Sequence, residues 1–204
     1  SHLIIESITE NANKKRELID QIFRIIPESS ILTSNTSSIN LSKLSKKENF
    51  TGLHFFYPLM LKQFVEINFT ANTKNEIIDE LINFTGSIDK KGILLNERSH
   101  FILNKFLLPL QIESYNYCSE NKVPFYAFDN IVKKSIMPMG LFEFTDDIFH
   151  HILYVSLLNY AGDTDFYGNT FKPILEELSN NIKEGRLGVK TESGFYKYKR
   201  KQIL

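Results

Sequence analysis

The chain has 204 residues, with 24 Lys and Arg against 24 Asp and Glu, 42% hydrophobic residues and a single cysteine, Cys118. This length can bury a sizeable core in one or two domains, and the composition is that of ordinary globular proteins rather than disordered ones. Zero formal net charge argues against a nucleic-acid surface spread over the whole chain, one cysteine excludes an intrachain disulfide, and no apolar run reaches the length of a membrane span. The first 97 residues alternate strand and helix patterns. Leu3-Ile4-Ile5 reads as a short apolar strand. Asn11 can cap a helix running to about Ile26, with Leu18, Ile19, Ile22, Phe23 and Ile26 on one face, and Pro27 to Ser30 ends it. Ile31–Ser34 is the next strand, followed by a weak helical stretch, Leu41 to Lys46. Phe50–Phe56 and Phe64–Phe69 are strands, Asn75–Phe84 is an amphipathic helix, and Gly92–Leu95 is a last strand. Such alternation predicts an α/β layer architecture.

From 98 to 204 the pattern is helical. Phe101–Glu120 is a long candidate in which Pro109 predicts a kink or break. Pro124 can start the next helix, running towards Ile136, and Met137-Pro138-Met139-Gly140 is a turn. Helices follow over Leu141–Asp147, Phe149–Tyr160 and Pro173–Ile182. The chain closes in a loop around Gly185-Arg186-Leu187-Gly188 and a tail, Ser193-Gly194-Phe195-Tyr196-Lys197-Tyr198, whose aromatics pack it down. Asp146-Asp147 reads as a helix-end or surface charge pair, and Asp163 and Asp165 as loop residues. His150-His151 are adjacent and do not share a helix face, so no metal site is expected there. Cys118 reads as a small core residue, and a reducing compartment, the cytoplasm, suits a lone thiol. The basic runs Lys43 to Lys47 and Lys197 to Lys201 read as solvated faces.

Three segments carry chemistry. In Thr51-Gly52-Leu53-His54-Phe55-Phe56, a histidine leaves an apolar run, and Glu66 sits inside the next run, Phe64-Val65-Glu66-Ile67. Histidine exchanges a proton near neutral pH, and a neighbouring carboxylate can orient it and support its charge. A strand, a short connection and a second strand would let the two meet, and an ordinary buried ion pair fits the same spacing. Ile31 to Ser34 opens into the hydroxyl-rich turn Asn35-Thr36-Ser37-Ser38. In an open α/β sheet ligands bind beyond the carboxyl ends of strands, and Ser and Asn also simply close turns. In Phe101-Ile102-Leu103-Asn104 an Asn interrupts an apolar stretch and requires partners, either in the core or on a substrate oxygen.

Taken together these segments resemble the 3-hydroxyacyl-CoA dehydrogenase family. The matching residues are Ser34-Asn35-Thr36-Ser37-Ser38, Gly52-Leu53-His54-Phe55-Phe56, Val65-Glu66, Phe101-Ile102-Leu103-Asn104, Pro138-Met139-Gly140 and Gly194-Phe195-Tyr196-Lys197-Tyr198. Ile4 to Asn11 is similar to the family's acidic motif at a strand end. The resemblance implies a partial Rossmann-type NAD-binding domain, residues 1–97, followed by an all-helical dimerisation domain, residues 98–204. It also implies oxidation of (3S)-3-hydroxyacyl-CoA to 3-oxoacyl-CoA with NAD in fatty-acid β-oxidation. His54 would be the base, Glu66 its orienting partner, and Ser37 and Asn104 the groups holding the reacting oxygen. Glu10, Lys15 and Ser37 would line the cofactor, with Glu10 and Lys15 also towards coenzyme A. A homodimer is expected, in line with an apolar surplus at Phe142, Phe144, Ile148, Leu153 and Leu157.

The sequence departs from the family pattern in several places. Tyr57 stands where Asn is usual, His100 where Gly is usual, and Leu141 where Pro is usual. No G-x-G-x-x-G turn occurs, and the first glycine is Gly52. The expectation is a piece of a longer protein, or a form without the first half of the cofactor domain, that by itself binds NAD weakly. A catalytically silent homologue that binds acyl-CoA or acts as a structural dimerisation module is the alternative. A relative acting on a non-CoA hydroxy acid is a third reading.

Overall fold

A computed structural model describes residues 2–56, 63–96, 101–163, 169–200 and 202–203. Tyr57, His100 and Asp165 lie outside the described residues. The chain divides into two compact units, Ser1–Lys105 and Phe106–Leu204.

The first unit contains β1 (Leu3–Glu6), α1 (Ala12–Phe23), β2 (Ile31–Ser34), β3 (Phe50–Phe55), β4 (Phe64–Phe69), α2 (Asn75–Ser87) and β5 (Lys91–Asn96). The strands form one sheet in chain order. β1, β2 and β3 run parallel, β4 is antiparallel to β3, and β5 is parallel to β4. Asn11 caps α1 as its sequence position suggests, accepting from the Lys14 amide at 3.1 Å. All four residues of β2 are buried, as expected of a strand covered on both faces. Leu32 and Phe50 pack with Ile19 of α1, whereas Ile31, Leu53, Val65 and Ile67 pack with Leu81 of α2. Neighbouring residues of a strand point to opposite faces, so each helix takes one set. The weak helical stretch at 41–46 closes instead as a 3-10 turn, Leu41–Lys43. Asn40 Oδ1 accepts from the Ser42 amide and hydroxyl there, and Leu41 and Leu44 are buried.

α3 (Ile102–Glu120) begins in the first unit, and it continues through Pro109 without the break that the proline predicts. The second unit adds α4 (Phe125–Ser135), α5 (Leu141–Ile148), α6 (His150–Asp163) and α7 (Lys172–Lys183). Asp163 thus ends a helix rather than lying in a loop. The core joins Leu108 and Ile112 of α3 to Leu153, Leu157 and Tyr160 of α6 and Ile174 and Leu178 of α7. Phe142, Leu153 and Leu157, read from the sequence as surplus for a partner, are buried inside this unit. They pack against their own chain because α5 and α6 are neighbours and the tail's Phe195 stacks edge-on to Phe142 at 5.1 Å.

The pair Asp146-Asp147 is the clearest correction. Asp146 is fully buried and is the hub that docks the tail. Its Oδ1 accepts from the Phe195 amide at 2.9 Å and pairs with His150 Nε2 at 2.5 Å. Its Oδ2 accepts from the Tyr196 amide at 3.0 Å and the Tyr198 hydroxyl at 2.8 Å. Asp129 of α4 plays the same part nearby, accepting from the Phe142 and Glu143 amides at the start of α5 and from the Tyr196 hydroxyl. Burial pushes the Asp129 carboxyl up against those hydrogen bonds. Burial also raises the Tyr196 and Tyr198 phenols, reinforced by Asp129 and Asp146 respectively. The tail is therefore not a plain loop. It packs down through Asp146 and ends in two short antiparallel strands, β6 (Tyr198–Lys199) and β7 (Gln202–Ile203). Glycine is required where it approaches the hubs: a Cβ on Gly194 would lie 2.1 Å from Asp146 Oδ1, and one on Gly140 2.2 Å from the Asp129 carboxyl carbon.

Candidate active site

His54 and Glu66 are directly opposite one another in the antiparallel β3–β4 pair. Opposed residues on one face of such a pair bring their Cβ atoms to about 5 Å, close enough for an imidazole to reach a carboxylate. His54 Nδ1 meets Glu66 Oε2 at 2.7 Å, and the Glu66 side chain is 2% exposed against 12% for His54. The other carboxylate oxygen, Oε1, accepts from the Leu103 amide at 3.3 Å. Leu103 lies in the first turn of α3, where amides have no partner inside the helix and the helix end favours an anion. Phe56 and Phe101 pack edge-on to the imidazole at 4.8 and 5.3 Å. With Nδ1 engaged by the carboxylate, Nε2 is the nitrogen available to exchange a proton, and it has no partner among the described residues.

Asn104, one residue beyond Leu103, donates from Nδ2 to the Ser37 carbonyl at 2.6 Å. Ser37 belongs to the turn that follows the carboxyl end of β2, and His54 lies near the carboxyl end of the parallel strand β3. Asn35 Oδ1 accepts from the Phe55 amide at 2.9 Å, fastening that turn to the residue after His54. His54, Glu66, Ser37 and Asn104 therefore belong to one hydrogen-bonded frame at the carboxyl ends of the inner strands β2 and β3. The Ser37 hydroxyl has no partner among the described residues.

Glu10 and Lys15 sit behind this frame. Lys15 is 1% exposed, and its Nζ donates to Glu6 Oε1 at 2.7 Å and to the Ile8 carbonyl at 3.0 Å. Glu6 Oε2 in turn accepts from the Ser34 hydroxyl at 2.6 Å. Glu10 Oε1 accepts from the turn at Thr36, Ser37 and Ser38. Sequence reasoning missed Asn35 and Glu6 as parts of the frame. The available signal for Glu6 was the one used for Glu66, a carboxylate closing an apolar strand. Asn35 carried only the signal of a turn-forming residue.

The first unit is a mixed α/β sheet with its polar side chains gathered at the carboxyl ends of parallel strands, the place where this class of fold binds ligands. Among solved structures, the (S)-3-hydroxybutyryl-CoA dehydrogenase of Ralstonia eutropha is similar, with TM-score 0.84 and 25% identity over 98% of this chain and 71% of that one. The 3-hydroxybutyryl-CoA dehydrogenase of Escherichia coli gives TM-score 0.79 and 25% identity over all of this chain and 44% of that one. The mitochondrial hydroxyacyl-coenzyme A dehydrogenase of Sus scrofa is 30% identical over 97% of this chain and 64% of its own length. Residues 1–98 match the model of the 3-hydroxyacyl-CoA dehydrogenase NAD binding domain, and residues 101–198 match that of the same family's C-terminal domain. The chain belongs to the 3-hydroxyacyl-CoA dehydrogenase family, and it spans about 64% of the length of the pig relative it matches.

Proposed function

We propose that the chain carries the catalytic residues of an NAD-dependent 3-hydroxyacyl-CoA dehydrogenase, interconverting (3S)-3-hydroxyacyl-CoA and 3-oxoacyl-CoA in fatty-acid oxidation. The observation that supports this most is the His54–Glu66 contact at 2.7 Å, linked through Leu103 and Asn104 to Ser37. Residues 1–98 match an NAD-binding domain. The ends of β2 and β3 suit the nicotinamide end of that cofactor, with the Ser37 hydroxyl and His54 Nε2 both available. The amides of the Ser37 turn are engaged by Glu10 and do not suit a phosphate. Bound NAD supplies a hydride acceptor.

The residues of this chain supply the proton chemistry. His54 Nε2 takes the proton of the 3-hydroxyl and returns it in the reverse direction. Glu66 holds the ring through Nδ1 and stabilises the imidazolium while it lasts. The Ser37 hydroxyl and the remaining N–H of the Asn104 amide hold the reacting oxygen. The carboxylate, itself held by the helix start, cannot swing away from the ring, and this fixed geometry is what removing a proton from the oxygen and a hydride from the carbon of one carbinol requires.

A homodimer would form through the helical unit, though not through Phe142, Leu153 and Leu157, which are buried in their own chain. Phe106, Tyr117, Tyr126, Ile131 and Ile136 are exposed on α3 and at α4 or its end, at 73%, 54%, 63%, 65% and 68%. We place the protein in a reducing compartment, the cytoplasm, on the strength of its buried thiol. Incubation of the protein with NADH and 3-oxobutyryl-CoA, followed at 340 nm with the product's configuration determined, tests the main proposal. Formation of the 3S alcohol supports it. Binding of the acyl-CoA with no turnover under NADH saturation would replace it with the silent acyl-CoA-binding reading.

A further inference from the structure

β2 stays bonded to one neighbour for longer than to the other. On the β1 side, the Ile31 amide donates to the His2 carbonyl and the Asn35 amide to the Glu6 carbonyl, each at 2.8 Å. On the β3 side, the Leu32 amide donates to the Asn49 carbonyl at 3.0 Å, and the last paired residues are Ser34 and Gly52. Bonds between two parallel strands are evenly spaced and recur at every second residue. The amides of β3 that face β2 are therefore those of Thr51, Leu53 and Phe55, aimed where the carbonyls of Leu32, Ser34 and Thr36 would follow in turn. The chain leaves the ladder after Asn35 to make the Ser37 turn. The Phe55 amide donates instead to Asn35 Oδ1, at 2.9 Å. A side-chain oxygen thus takes the place of the backbone carbonyl that the turn has carried out of the sheet.

We propose that Asn35 is a positioning residue whose side chain carries the β2–β3 ladder one step past the end of β2 and so keeps His54 in register with the Ser37 turn. Its backbone amide fixes the base of the turn to β1, and its side chain fixes the end of β3, which bears His54. The turn itself stays out of the sheet, where the Ser37 carbonyl meets Asn104. The effect on the reaction rests on the dehydrogenase reading, and the effect on the strand does not. The role needs an acceptor oxygen at this reach and nothing more. Aspartate keeps that oxygen, whereas leucine keeps the volume and has none. A role of the Asn35 amide nitrogen towards a ligand would be lost in both.

Two measurements on the 204-residue chain test this. Hydrogen exchange at the Phe55 amide should quicken by about tenfold in Asn35→Leu and stay near the native rate in Asn35→Asp. Should the leucine variant not fold, Asn35→Ala repeats the comparison, since it also lacks the oxygen. Equal Phe55 exchange in the native chain and in the acceptor-free variant would overturn the proposal. In the reduction of 3-oxobutyryl-CoA with NADH, the acceptor-free variant should lose about a hundredfold in kcat, the scale of a small misplacement of reacting groups. The KM for NADH should stay within about threefold, and Asn35→Asp should recover most of the loss in kcat. A loss in Asn35→Asp as large as in Asn35→Leu would assign the effect to the amide nitrogen and overturn the proposal, as would native kcat in the acceptor-free variant. If the native chain gives no turnover, or His54→Gln retains full activity, the dehydrogenase reading fails instead. Phe55 exchange alone then decides whether Asn35 holds the strand.

Discussion

Replacing Asp146 by Asn is the sharpest structural perturbation. The carboxylate accepts two donors on each oxygen: His150 and the Phe195 amide on Oδ1, and the Tyr196 amide and the Tyr198 hydroxyl on Oδ2. An asparagine amide keeps one carbonyl oxygen and turns an NH2 towards the other two donors. Whichever way it is placed, two buried donors lose their acceptor, at about 1–3 kcal/mol each, for a total of about 2–6 kcal/mol. A domain of ordinary stability has about 5–15 kcal/mol, so Asp146→Asn should cost a large share of it. Tyr198→Phe removes one donor to a charged acceptor and leaves Oδ2 with the Tyr196 amide, so it should cost about 1.5–3 kcal/mol. Urea unfolding followed by circular dichroism gives both values. An Asp146→Asn midpoint equal to that of the native sequence, or a larger loss in Tyr198→Phe, would refute the idea that this carboxylate holds the tail.

Other outcomes follow from the same geometry. Gly194→Ala places a Cβ 2.1 Å from Asp146 Oδ1 and should destabilise the helical unit by more than about 1 kcal/mol, whereas Gly86→Ala, with nothing within 4 Å, should not; thermal melts compare the two. Burial, with the Asp129 carboxylate nearby, pushes the Cys118 thiol up to about 11 from its ordinary value of 9.0. Because the folded value is the higher one, the stabilising contribution is complete below pH 9 and is lost as pH rises towards 11. The urea midpoint should fall across that window less steeply in Cys118→Ala than in the native sequence. Ellman's reagent at pH 8 should label Cys118 slowly until urea is added. Light scattering at micromolar concentration should give twice the chain mass, and Ile131→Glu should return it towards 24 kDa, near the chain's 23.7 kDa.

Much of the fold was legible because its signals are local. β2 and β4 begin and end where the apolar runs do, and Asn11 caps α1 as its position suggests. The His54–Glu66 pairing was legible for a similar reason: two strands joined by a short connection bring residues twelve apart face to face. Asp146 was illegible because nothing in Thr145-Asp146-Asp147 shows that the chain returns some fifty residues later with two amides and a hydroxyl to satisfy a buried carboxylate. The apolar surplus at Phe142, Leu153 and Leu157 was misread for the same cause, since Phe195 arrives from the tail to cover it. Glu10 and Lys15 could be placed beside the site by resemblance. That their charges are directed at the protein's own turn and at Glu6 is a three-dimensional fact.

The most direct test of the central claim is a double-mutant cycle on His54 and Glu66, read as kcat for 3-oxobutyryl-CoA reduction with NADH. Loss of a positioned general acid–base should lower kcat by about two to four orders of magnitude in His54→Gln. Glu66→Gln acts through the same ring, so the double variant should be little worse than His54→Gln alone. Full activity in either single variant, or strictly additive losses in the double, would contradict a mechanism in which Glu66 holds His54 as the proton-exchanging group.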